Sequence, residues 1–200
     1  MCTRRLSLWQ RGTSLVELIV FIVIISTALA GILLVMNLVT HHSADSVVHK
    51  QALAIAESLL EEVELMPFTY CDPDDASAVT AASAVVGGTG CAATVEGMGP
   101  ETINGVTENR YGDPTPAAVN AYFDNVNDYN GFNMASGAVL DINKNAAVNG
   151  YSSTIVVAQQ ALGAIPAAES LLITVTVTGP DGVPIQLDGY RTRYAPNGVP

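Results

Sequence analysis

The apolar positions divide the chain into three stretches. Leu18 to Met36 reads LIVFIVIISTALAGILLVM, a run without charge in which Ser26 and Thr27 are the only hydroxyl-bearing side chains. As a helix rising ~1.5 Å per residue it reaches roughly 28 Å, close to the ~30 Å hydrocarbon core of a bilayer. From Gln51 to Met66 the pattern becomes one-sided: Ala52, Ile55, Ala56, Leu59, Leu60, Val63 and Met66 recur at steps of three and four. Glu57, Glu61, Glu62 and Glu64 take much of the remaining surface. Neither Gly nor Pro stands between Gly31 and Pro67. A single helix of about 54 residues over 13–66, some 80 Å long, is therefore predicted, with its membrane segment at about 18–36.

Pro67 ends that helix and opens a head over 67–200. Up to about Pro116 the sequence is rich in Ala, Gly, Ser and Thr, and reads as a long surface loop. The last third carries strand signals in Ser153–Leu162, Ser170–Thr178 and Val183–Tyr194, with Gly179-Pro180-Asp181-Gly182 turning the last two into a hairpin. The alternation in ITVTVT predicts one buried face. An antiparallel sheet laid on the one-sided half of the helix buries both apolar surfaces, so the expected class is α+β.

Charge narrows the partners. The formal net charge is −11. Arg4, Arg5 and Arg11 precede the apolar run; without them 5 basic residues face 19 acidic ones, a balance of −14. Such a surface repels phosphate backbones, so no direct nucleic-acid partner is expected. Cys2 lies among the basic residues, which leaves Cys71 and Cys91 as one candidate disulfide in an oxidising compartment, the alternative being two buried thiols.

The same arginines set orientation. Asp45 is the first charge after the run, so the positive-inside rule keeps residues 1–12 in the cytoplasm and exports the rest. A secretory signal has its small-residue cleavage site after the apolar region. Here Gly12 stands before it, and a cut there would discard a basic leader, 1–12, and keep the helix. An uncleaved signal anchor has the same hydropathy, and Glu17 separates the two. An unpaired ionisable group costs on the order of 2.5–3.5 kcal/mol at mid-bilayer and less near the interface. A cut after Gly12 would free an amine at Thr13, one helical turn from Glu17, where the helix dipole also favours an anion. A neighbouring subunit's amine would serve equally and set the register between subunits.

The segment RGTSLVELIVFIVIIS resembles the prepilin cleavage and methylation signature: glycine, a hydroxyl residue, an apolar pair, glutamate and a long apolar helix. The resemblance implies the type IV pilin fold, cleavage after Gly12 by a prepilin peptidase and methylation at Thr13. The family usually has Phe or Met at that position, a departure that bears on methylation more than on cleavage. It further implies storage among inner-membrane lipid with the head in the periplasm. Assembly with other major and minor pilins at an inner-membrane platform, into an extracellular filament, would follow. QALAIAESLLEEVELMPFTYCDPDD and FDNVNDYNGF are similar to the MshD-like minor pilins of the mannose-sensitive haemagglutinin pilus. That implies a minor subunit acting in pilus initiation, at the tip or in adhesion. A type II secretion pseudopilin shares the signature, and a signal-anchored periplasmic enzyme or binding protein is the alternative of another class.

Little catalytic chemistry is legible. His41, His42 and His49 all fall on the predicted helix, leaving the head without a histidine for a nucleophilic site, and no enzyme is expected. Asp124, Asn125, Asn127, Asp128 and Asn130 offer the hard oxygens of a structural calcium site, with Asp72, Asp74 or Asp75 to complete it. The spacing departs from an EF-hand. An Asx-rich turn, in which these side chains bond local backbone, is the preferred reading, so no cofactor is expected.

Overall fold

The computed structural model describes residues 12, 14–103, 105–112, 121–137, 139–146 and 148–199. It forms two compact units, one ending at Ser46 and one beginning at Val47. Helix α1 runs Leu15–Leu65, one or two residues inside its predicted bounds. Within the first unit every described side chain of α1 up to Thr40 is exposed, and Leu15–Thr40 is long and apolar enough to cross a membrane.

The second unit holds the rest of α1 together with the head that follows it. Strands β1 (Thr102–Ile103) and β2 (Val106–Thr107) form a minimal hairpin. The main sheet is antiparallel, in the order β3 (Asn133–Met134), β4 (Ser152–Gln159), β5 (Ser170–Thr178), β6 (Pro184–Thr192). The three long strands lie where the sequence places them, and β3 is an addition. Gly182, at φ 75°, closes the β5–β6 turn by donating to the Gly179 carbonyl at 3.0 Å. That backbone conformation favours glycine.

Alternation decides which face is buried. Ile155 and Val157 of β4 and Leu171, Ile173, Val175 and Val177 of β5 are buried. Ile155 pairs with Val175 and Val157 with Ile173, which makes a continuous apolar surface. Against it packs the face of α1 made by Ala52, Ala56, Leu59 and Val63, all buried, with spacings of four, three and four. Gly189 on β6 marks a close approach: a Cβ there would stand 2.9 Å from Leu60 Cδ1 and collide with the Glu64 carboxylate. Phe123, Tyr129 and Phe132 close the other side of the core with edge-on ring contacts at 4.9 to 6.2 Å.

Adjacent residues of β4 should thus respond differently to truncation. Ile155→Ala is expected to cost about 2–5 kcal/mol in urea unfolding, and Val156→Ala, on the open face, no more than about 0.5 kcal/mol.

Candidate functional site

The stretch from Pro67 to about Pro116 reads as a surface loop, yet the described residues from 67 to 131 make a layer held mainly by side chains. Cys71 and Cys91 are joined, with their Cα atoms 5.5 Å apart, and pack with Ala78 and Ala81 in a small second core. Asp75 collects four backbone N–H groups: Ser77 and Ala92 donate to Oδ1, both at 2.8 Å, and Ala93 and Thr94 to Oδ2 at 2.7 and 2.8 Å. Burial alone would raise its pKa, but these donors hold it down at about 2. Asn125 Nδ2 donates to Thr69 Oγ1 at 2.7 Å, and the Val126 N–H donates to the Pro67 carbonyl at 3.1 Å.

Four separate stretches of this layer turn acids inward. One oxygen each from Asp72, Asp74 and Asp124 lie within 4.8 Å of one another, and the same holds for Glu108, Asp124 and Asp128, and for Glu96, Glu101 and Asp128. Asp124 and Asp128 are shared, so seven carboxylates form one continuous row. Asp72, Glu108 and Asp128 are 1%, 3% and 0% exposed. Asp72 Oδ2, Asp128 Oδ1 and both carboxylate oxygens of Glu96 and of Glu108 are shielded from solvent and accept no hydrogen bond. Burial, reinforced by neighbouring carboxylates, pushes Asp72 up to about 6, Asp124 to about 7 and Glu108 to about 8. The same causes raise Glu96 and Asp128.

The nearby cations are engaged elsewhere. Arg110, 4% exposed, grips Glu62 of α1 through two N–H groups, each at 2.6 Å, and gives a third bond to the Leu140 carbonyl at 2.8 Å. Tyr129 donates to the same Glu62 carboxylate at 2.8 Å. Arg193 stacks over Phe68 at 3.9 Å and pairs with Glu169 at 3.3 Å, although its field also reaches Glu96.

Of the sequence candidates, Asp72 and Asp74, named as completing ligands, are brought together with Asp124. Asp124 and Asp128 join the acidic row. The side-chain oxygen of Asn127 is buried without a donor. Asp75, named as a completing ligand, is instead consumed by backbone donors. The turn reading holds for one oxygen of Asp128, since Oδ2 accepts from the Asp124 and Asn125 N–H groups at 2.9 and 2.7 Å. Glu96, Glu101 and Glu108 were missed. Their signal was compositional: from Pro67 to Gly131 there are nine acidic residues and one basic.

At the other end of the chain, Gly12 is exposed and non-helical, whereas Thr13 and the leader residues 1–11 lie outside the described residues. Ser14 caps α1, accepting from the Glu17 N–H at 3.3 Å through Oγ and from the Leu18 N–H at 3.2 Å through its carbonyl. Glu17 is exposed in the first turn. His49, on α1 as expected, lies 3.5 Å from Asp181. The side chains of His41 and His42 lie outside the described residues.

No protein-family model matches the chain, and neither does a curated protein or a solved structure.

The acidic row has a signed pH consequence. Unfolded carboxylates titrate near 4, whereas Asp72, Asp124 and Glu108 keep their protons in the folded chain to about 6, 7 and 8. The folded state therefore binds more protons in that window, and stability falls as pH rises from about 4 to about 8. Asp75 acts oppositely: its contribution is present above about 4 and is lost as pH falls toward about 2. Protein stripped of divalent cations should melt several degrees lower at pH 8 than at pH 5, as read by differential scanning calorimetry.

Proposed function

We propose that the chain is a minor pilin, a structural subunit of a type IV pilus-like filament with a part in pilus initiation, tip formation or adhesion. Its helix would first anchor it in the inner membrane and later pack it among other pilins. One observation carries this reading: the 26 residues Leu15–Thr40 form an uncovered apolar helical surface. Glu17 is the only charged residue within it.

Such a surface must be covered by lipid or by helices like itself. In lipid, helix association gains little from hydrophobicity, so a polar contact can select the register. Glu17 at the start of the span, beside a new amine at Thr13, would supply one. The one-sided half of α1 lying under an antiparallel sheet is also the arrangement expected of a pilin head. The prepilin-like motif around Gly12 adds the processing step.

Intact-mass measurement of the chain purified from its membrane should find it starting at Thr13, and retention of Met1 would overturn the reading. Glu17→Gln should leave the chain inserted and cleaved. Losing a polar contact worth about 1–2 kcal/mol, it should enter filaments roughly tenfold less than wild type in immunoblots of sheared fibres.

A further inference from the structure

We propose that the head binds calcium at the row of buried carboxylates, with Glu108, Asp124 and Asp128 as the central ligands and Glu96, Glu101 and Asp72 flanking them. This inference does not rest on the filament reading, since every residue in it belongs to the compact unit that begins at Val47.

A cluster of acids can be neutralised by protons, by basic side chains or by a metal ion. Protons relieve the charge at lower pH but leave buried oxygens without partners. A protonated carboxyl is a hydrogen-bond donor that seeks an acceptor, yet Glu96 and Glu108 have no hydrogen bond at either oxygen although all four atoms are buried. Within the row, Glu101 is among the neighbours that raise the pKa of Asp128. Basic side chains fit poorly. Arg110 is turned to Glu62, Tyr111 and the Leu140 carbonyl, and Arg193, whose field reaches Glu96, makes its ion pair with Glu169, stacks on two aromatic rings and leaves its own Nε without an acceptor.

A cation satisfies the orphaned oxygens and the charge together. The buried carboxylate oxygens of Glu108 and Asp128 that lack any donor are the ones a metal would complete.

The donor set selects the ion. The three groups contain carboxylate oxygen alone, and the two nearby cysteines are bonded to each other, which disfavours the softer transition metals. Many oxygens on irregular backbone suit the six to eight ligands and loose geometry of calcium. Magnesium demands a tight octahedron and retains much of its water. Ligands come from the segments at Asp72, Glu96–Glu101, Glu108 and Asp124–Asp128, so the ion would fasten together a layer whose regular secondary structure is limited to the short β1–β2 hairpin and one 3-10 turn.

The test uses the full chain in detergent micelles, stripped with EGTA and then given calcium chloride. At a hundredfold excess over Kd, Tm should rise by roughly 5–10 °C, and calorimetric titration should give a saturable isotherm. Glu108→Gln and Glu96→Gln each remove a carboxylate whose ionisation the row opposes. In EGTA each should therefore melt at or above wild type, while most of the calcium response is lost. Asp188→Asn, an exposed acid on β6, should keep the full response.

An unmoved wild-type Tm at about 10 mM calcium, far above the ~1 mM at which extracellular modules bind, would overturn the proposal. So would an equal loss of response in Asp188→Asn, which would mean charge screening, or an equal shift from magnesium. Should a glutamine variant fail to fold, the wild-type comparison of EGTA, calcium and magnesium together with Asp188→Asn still decides.

Discussion

The head is organised by one requirement: the apolar stripe of α1 from Ala52 to Val63 has to be sealed against Ile155, Ile173, Val175 and Val177. The small residues Ala52 and Ala56, and Gly189 on β6, allow helix and sheet to approach closely enough for that seal. The other parts take their places from it. Glu62, one helical step from Val63, faces the loop layer from the rim of the seam and receives Arg110 and Tyr129. A charge pair this enclosed favours one arrangement mainly because its loss would strand a buried ion. The residues on either side of Arg110, from Glu108 to Tyr111, are thereby pinned to the helix.

Much of this was legible wherever one periodicity governed. α1 and the three long strands follow from steps of 3.6 and 2, and the hairpin from its glycine and proline. Cys71 and Cys91 were the pair left by elimination. The expectations at Gly12, Thr13 and Glu17 concern processing and assembly, and belong to the proposed function. The loop layer was not legible, because its order comes from contacts between residues far apart in sequence. Glu96 and Glu108 carry no local mark of burial, each standing beside polar or glycine neighbours. The excess of acids over bases in 67–131 was the available sign, and a surface loop would show the same excess.

Asp75 and Asp128 show how backbone placement separates identical side chains. Asp75 meets four N–H groups and is held ionised. Asp128 receives two on one oxygen, while its other oxygen faces further carboxylates. Electrostatics in this head are therefore set less by net charge than by which acids the loops supply with amide donors. The oxygens left unsupplied, those of Glu96 and Glu108 and Oδ1 of Asp128 among them, converge on one place.

The separations spanned by these contacts also bear on the order in which the molecule comes together. β4, β5 and β6 pair with their neighbours in sequence through short connections, so their closure is local and fast. The loop layer instead relies on links such as Arg110 to Glu62, 48 residues apart, and Asn125 to Thr69, 56 apart. Ordering so long a stretch has a large entropic cost that is recovered only after the helix and sheet present its docking points. This layer should therefore assemble last and open first, an early-fraying cap on a slower-exchanging helix–sheet body.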